Sequence, residues 1–135
     1  MLIVGPSGSG KSDLVLRLVS RGFDLVADDQ VDLRNGFASA PPELAGLLEV
    51  RGLGIFRMRA VAQPVPLRLV VVLGEPGSEP EGKPAERLPF PARHPDFDLP
   101  MFHLDASQVS APERVALALD CVIGRVEQTV GAFAA

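Results

Sequence analysis

Residues 2–14 read "LIVGPSGSGKSDL" and contain the most informative motif of the chain. Gly5 to Ser12 satisfies the pattern G-x-x-x-x-G-K-S in full. Such loops wrap main-chain N–H groups around phosphate oxygens, because glycines place no Cβ in the way. An apolar strand before the loop and a helix after it favour this interpretation over a glycine-rich turn that only resembles the motif. The predicted phosphate-binding residues are Gly5, Pro6, Ser7, Gly8, Ser9, Gly10, Lys11 and Ser12.

Composition narrows the classes of protein to which the chain can belong. Its 135 residues suit one domain, with 47% apolar and 22% charged residues. A net charge of −4 and the lack of a Lys/Arg cluster predict no nucleic-acid partner and no membrane surface. The single cysteine, Cys121, suits a reducing compartment and a packing role. Because the reducing compartment of this kind is the cytoplasm, we expect a cytoplasmic protein. No apolar run reaches transmembrane length.

Outward from the loop, the pattern predicts strands and helices that alternate along the chain. The segments are a strand at 2–4, a helix from Lys11 to Gly22, an apolar strand "DLVADD" (24–29), a hairpin "VDLRNGFAS" (31–39), a short helix or turn "ELAGLLEVRG" (43–52), and strands in "IFRMRAV" (55–61), "LRLVVVL" (67–73) and "MFHLDAS" (101–107). This alternation, with hairpins in it, predicts an α/β fold with a mixed sheet.

The last third of the chain holds a loop and a helix. Residues 74–100, rich in proline, glycine and charge, are expected to form a mobile loop. Ser110 and Glu113 have capping-box spacing and predict the start of a final helix. Its expected inward residues are Val115, Leu119, Val122, Ile123, Val126 and Val130.

Candidate catalytic residues are acids and arginines. Asp28 and Asp29 end the second predicted strand, where one carboxylate could accept a proton and the other could orient Mg²⁺. A solvated acidic turn is the alternative. Glu49 and Arg51 precede two glycines and form either part of a ligand site or a surface ion pair. Arg87 either covers a phosphoryl group or is solvated.

Other signals are absent from the sequence. It has no N-K-x-D tetrapeptide, which argues against a GTPase. His94 and His103 have no metal-ligand spacing, and neither is assigned a role.

Together, "GPSGSGKSDL", "LVADDQV", "PPELAGLLEVRGLGI" and "ERL" resemble the catalytic domain of bacterial HPr kinase/phosphorylase, from about the first residue to Arg87 and more weakly through the last helix. "LLEVRGLGI" is the most specific part of the resemblance. The shortness is similar to the reduced, single-domain forms of alphaproteobacteria. The fold implied is a P-loop nucleotide-binding domain of the PEP carboxykinase-like kinase type, spanning residues 1–135.

The resemblance implies a serine kinase of the phosphocarrier protein HPr that can also reverse its reaction with inorganic phosphate. The implied cofactors are ATP, or pyrophosphate, and Mg²⁺. Ser12 and Glu49 would ligate the metal, and Asp28 would act as base, with Asp29 beside it. Lys11 and Arg87 would stabilise phosphoryl charge, and Arg51 would shape the site. Family members form hexamers, so a homo-oligomer is implied.

The chain departs from the family pattern in three places. The family's catalytic histidine lies upstream of the loop, beyond the start of this sequence. The basic loop tied to dephosphorylation corresponds here to "FPARHPDFDLP", which differs from the family's loop, so the kinase direction is favoured over its reverse. The family's glycine-rich segment after "GLGI" is also lacking. Two alternatives stay open: a nucleotide-sensing module with little or no kinase activity, and a kinase for a small metabolite.

Overall fold

The computed structural model describes residues 1–74 and 87–134. These residues form two compact units, residues 1–11 with the described part of 68–135, and residues 12–67. The strands are β1 (Leu2–Val4), β2 (Asp32–Arg34), β3 (Phe37–Ser39), β4 (Leu47–Val50), β5 (Gly54–Arg57), β6 (Val65–Pro66), β7 (Val70–Leu73), β8 (Ala92–Arg93) and β9 (Pro100–Leu104). The helices are α1 (Lys11–Val19) and α2 (Ala111–Val122), with a 3₁₀ turn at Pro42–Leu44.

The first unit is built on a four-stranded sheet with the order β1-β7-β9-β8. β7 pairs in parallel with both β1 and β9, so that Val71 lies between Ile3 and Phe102. β8 pairs antiparallel with β9. The central strand is the most apolar, with Val70 and Val71 fully buried. The predicted α/β class with a mixed sheet is therefore confirmed.

The two helices follow the predicted pattern in part. α1 starts at Lys11 and buries Leu14 and Leu18, which lie one turn apart. In α2, Val115 is fully buried. The predicted start of the final helix is confirmed, because α2 begins at Ala111, directly after Ser110. However, the predicted capping box is wrong, because the Ser110 side chain makes no cap hydrogen bond and its Oγ instead accepts a bond from Arg114 Nε at 2.9 Å.

The predicted extent of the final helix is also wrong. α2 stops at Val122, and Gly124 follows with a φ of 81°. The predicted inward positions beyond this point are exposed instead: Ile123, Val126 and Val130. A periodic apolar pattern continues past the helix, but the chain no longer has the helical geometry that would put those side chains on one face.

The second unit contains the antiparallel sheet β2-β3-β6 and the hairpin β4-β5. The predicted hairpin turn at Asn35-Gly36 is confirmed, with φ values of 52° and 78° at the two turn residues. The predicted strand 24–29 is wrong beyond one residue, because only Leu25 forms a β-bridge, with Ala60. The short helix or turn predicted in 43–52 is present only at its start, as the 3₁₀ turn at Pro42–Leu44, because Leu47–Val50 forms β4 instead.

Part of the predicted mobile loop lies outside the described residues. Residues 75–86 are not described, and 87–100 contains β8 and a turn in which Arg93 Nε donates to Asp98 Oδ1 at 2.7 Å. Mobility of this segment stays a prediction, as does the single kinase domain. No helix in the described ranges is long and apolar enough to cross a membrane.

Candidate functional site

The glycine-rich loop connects β1 to α1. Gly8 and Gly10 have φ values of 79° and 90°. Pro6, Ser7 and Gly8 are exposed, so the crest of the loop is open to solvent. The Lys11 ammonium donates to the carbonyl oxygen of Gly5 at 2.5 Å and to that of Pro6 at 3.2 Å. The loop is thus curled around the ammonium of its own lysine, at the carboxyl end of a parallel strand, where α/β sheets bind ligands.

Gly5 is required by the close packing of the loop on β7. A Cβ at this position would lie 2.9 Å from the Leu73 carbonyl oxygen and 2.7 Å from Ser9 Oγ. Neither distance is sterically allowed, and the first contact is with backbone, which cannot move aside. The first glycine of the motif therefore lets the loop start directly against the end of the neighbouring strand.

A carboxylate with two hydrogen-bond donors lies in the second unit. Asp28 Oδ1 accepts a bond from Ser12 Oγ at 3.0 Å, and Oδ2 accepts one from the Glu49 main-chain N–H at 3.4 Å. Asp28 is half-buried. The structure thus brings together three of the predicted residues, although Glu49 contributes its main chain to this contact. Fixed donors on both oxygens hold the carboxylate in one orientation.

Glu49 is held in place by the β4-β5 hairpin. Leu48, its neighbour on β4, is fully buried, while the Glu49 side chain is exposed and pairs across the hairpin with Ile55. The alternation of a strand turns one residue inward and the next outward. Because Glu49 lies on a strand and not in a helix, its N–H makes no intrahelical bond and can reach Asp28.

The base of this hairpin is closed by Gly46, a residue that the sequence analysis missed. Met58 N–H donates to the Gly46 carbonyl at 2.6 Å, and Gly46 has a φ of 76°. A Cβ on Gly46 would lie 2.5 Å from the Met58 carbonyl oxygen. The only signal in the sequence is a glycine just before an apolar run, which fits many turns equally well.

We expect the Gly46→Ala substitution to lower the free energy of unfolding by about 2–5 kcal/mol, from a positive φ and a backbone clash together. Gly52→Ala is the matched control. Gly52 has a similar φ of 83°, but a Cβ added there would meet no atom of the described residues within 4 Å. The Gly52→Ala substitution should lower the free energy of unfolding by about 1–2 kcal/mol. Urea unfolding measures both variants. Equal losses of unfolding free energy in the two variants would show that the close contact with Met58 does not add to the cost of the Gly46→Ala substitution.

Comparison with known proteins identifies the family. The family described as "HPr Serine kinase C-terminal domain" matches residues 1–99. The chain belongs to this family. HPr kinase/phosphorylase of Cupriavidus metallidurans is 42% identical over 91% of this chain and 40% of its own length. That of Xanthomonas campestris pv. campestris is 43% identical over 77% of this chain and 37% of its own length. The chain therefore spans about two fifths of these relatives.

A solved structure supports the fold. The Hpr(Ser) kinase/phosphatase from Coxiella burnetii matches with a TM-score of 0.61 and 22% identity, over 91% of this chain and 79% of that chain. The resemblance given by the sequence motifs is confirmed, and so is the P-loop kinase fold class that it implied.

The other predicted site residues of this HPr kinase family member are on the surface. Asp29, Arg51 and Arg87 are all exposed, with Arg51 in the turn between β4 and β5. His94 stacks on Phe97 with ring centroids 4.8 Å apart, and accepts a bond from the Asp96 N–H. Roles for Asp29, Arg51 and Arg87 thus stay predictions.

The donor set around Asp28 fits Mg²⁺. The predicted metal ligands, Ser12 and Glu49, both carry hard side-chain oxygens, and both residues contact Asp28, through Ser12 Oγ at 3.0 Å and through the Glu49 N–H at 3.4 Å. Within residues 1–74 and 87–134 there is no group of three or more His, Cys, Asp or Glu side chains that could hold a metal. Mg²⁺ needs no such cage, because it retains waters and takes further oxygens from bound phosphates.

Proposed function

We propose that this chain carries the active site of a Mg²⁺-dependent protein serine kinase, which transfers the γ-phosphate of ATP to a serine of an HPr-like phosphocarrier protein. The observation that supports this most is the 3.0 Å contact between Ser12 Oγ and Asp28. It joins the last residue of a complete phosphate-binding motif to a carboxylate suited to accept a proton. The name of the family, HPr Serine kinase, supports HPr as the acceptor, and the phosphate-binding motif supports ATP as the donor.

The reaction proposed here is an in-line displacement. The serine oxygen of the acceptor forms a bond to the γ-phosphorus as the bond between that phosphorus and the leaving oxygen of ADP breaks. The serine proton passes to the Asp28 carboxylate. Little covalent help from the protein is required, because positioning and neutralisation of charge supply most of the catalysis.

Individual residues have distinct parts in this proposal. The loop from Gly5 to Gly10 offers main-chain N–H groups to the phosphates, and Lys11 offsets their charge. Ser12 and Glu49 would hold Mg²⁺, which when bound neutralises charge on the β- and γ-phosphates. Arg87 would stabilise the transferred phosphoryl group, and Arg51 would shape the site. Asp28 has the least replaceable role, since the proton has to leave the serine.

The reverse reaction, attack of inorganic phosphate on phosphoserine, would use Asp28 as an acid. We place it second to the kinase reaction, because "FPARHPDFDLP" differs from the basic loop tied to dephosphorylation in the family. The resemblance to the family further implies a cytoplasmic homo-oligomer, for example a hexamer, with ATP or pyrophosphate as donor, and we include these in the proposal.

The test is incubation of the purified chain with γ-labelled ATP, Mg²⁺ and HPr. We expect label on a serine of HPr that withstands acid, and none when Mg²⁺ is chelated. A parallel binding measurement with unlabelled ATP separates the alternatives. Binding without transfer would favour the nucleotide-sensing module, and label on a small hydroxyl compound with none on HPr would favour a metabolite kinase. Either result would contradict the proposal.

A further inference from the structure

Asp29 has a backbone conformation that non-glycine residues seldom adopt. Its φ is 67°. The Gln30 N–H donates to the Asp28 carbonyl at 2.8 Å, which closes a three-residue turn with Asp29 at its centre. The positive-φ form of this turn is rare and strained. Strain of this kind persists only where the surrounding structure maintains it, and it concentrates at functional sites.

The two neighbouring aspartates differ in what their side chains do. Asp28 is half-buried, and both of its carboxylate oxygens accept hydrogen bonds. Asp29 is exposed, and its carboxylate has no hydrogen bond or ion pair within the part of the chain that the structure describes. The unusual feature of Asp29 therefore lies in its main chain.

Strand pairing does not extend to Asp28. Among the described residues, the only rung in this segment is at Leu25, which bridges to Ala60 and accepts a bond from the Val61 N–H at 2.9 Å. At Asp28, three residues after Leu25, no strand pairing among the described residues fixes the direction of the side chain. The turn from Asp28 to Gln30 is the nearest constraint on the Asp28 main chain. The positive φ of Asp29 at its centre sets the hand of this turn, and with it the direction in which the chain leaves Asp28.

We propose that Asp29 is a positioning residue, whose positive-φ backbone rather than its carboxylate holds Asp28 against Ser12 Oγ and the Glu49 N–H. This inference rests on the proposed function, in which Asp28 is the base. It gives Asp29 a role different from that of a second catalytic carboxylate.

A set of three substitutions separates backbone from carboxylate. Glycine and asparagine accept a positive φ, and alanine does so at a cost. We expect Asp29→Gly and Asp29→Asn to keep kcat within about threefold of the wild type. Asp29→Ala should lower kcat by about 10²-fold at unchanged KM for ATP, the effect of moving a reacting group by about 1 Å. Rescue by glycine is the decisive feature, because glycine has no carboxylate.

Two results would overturn the inference. If the glycine and asparagine variants lose as much activity as the alanine variant, the carboxylate itself acts in the reaction. If all three variants match the wild type, the turn positions nothing. Should the alanine variant fail to fold, the glycine and asparagine variants alone still decide, since a large loss in either one contradicts a backbone role.

A readout without catalysis separates this inference from the proposed function. The ¹³C chemical shift of the Asp28 carboxyl carbon reports its hydrogen bonds in the unliganded protein. We expect it to be unchanged in the glycine and asparagine variants and shifted in the alanine variant. If the wild type labels no HPr, the proposed function has failed, whereas an unchanged shift in the alanine variant would overturn the positioning role of Asp29.

Discussion

Replacing Asp28 with asparagine should lower the rate of phosphoryl transfer by about 10²–10⁴-fold, the range attributed to a general base. ATP affinity should stay near that of the wild type, because the glycine-rich loop and Lys11 are untouched. The fold should also survive. An amide can donate to Ser12 Oγ with its nitrogen while its oxygen accepts the Glu49 N–H, so both contacts of the carboxylate can be retained by the substitute.

The measurement is single-turnover transfer from labelled ATP to HPr, with ATP affinity determined separately. Asp32→Asn is the matched control, because it makes the same chemical change at an exposed position at the start of β2. It should transfer at the wild-type rate. Transfer by Asp28→Asn at the rate of Asp32→Asn would remove Asp28 from the role of base. A loss of ATP affinity equal to the loss of rate would instead assign it to nucleotide or metal binding.

The parts of the fold that could be predicted from sequence are those set by local chemistry. Asn35-Gly36 adopts the positive φ values that a two-residue hairpin needs, whatever lies around it. The phosphate-binding motif likewise specifies its own strand, loop and helix start. The apolar run of β7 is rich in β-branched valine, which favours a strand.

The parts that could not be predicted depend on distant partners. The run at 24–29 reads as a strand, but only Leu25 finds a pairing residue, Ala60, so the rest of the run bends. The composition of Leu47–Val50 suits a helix or a strand. The hydrogen bond from the Met58 N–H to the Gly46 carbonyl favours the strand, because it joins the two arms of the hairpin. The sequence within each segment does not predict these contacts, because their partners lie elsewhere in the chain.

The same limit applies to the candidate site. The position of Asp28 after an apolar segment, and the resemblance to the family, pointed to its importance. Neither could predict that Glu49 would reach it through a main-chain N–H, since that depends on which way the β4-β5 hairpin turns its strands. Sequence identified the chemical groups, whereas the register of the hairpin determined which atom of each group makes contact.

Replacing Lys11 with methionine should weaken ATP binding by about 10–100-fold, since a charged hydrogen bond contributes roughly 1.5–3 kcal/mol. It should lower the rate of transfer by about a further 10²–10³-fold, as the loss of a charge-stabilising donor does in other sites. Methionine keeps most of the apolar length of lysine and removes only the ammonium. That ammonium donates to the carbonyls of Gly5 and Pro6.

The same two carbonyl contacts predict a small loss of stability without ATP, because the loop loses the group around which it is curled. Arg17→Met is the matched control, as it removes one positive charge from the same helix, where Arg17 pairs with the exposed Asp13 at 3.6 Å. Calorimetric titration with ATP and Mg²⁺ compares the two variants. If both lose affinity equally, net charge and not the loop governs binding. If Lys11→Met binds ATP as tightly as the wild type, the loop does not hold the phosphates through this lysine, and the kinase proposal loses its main electrostatic support.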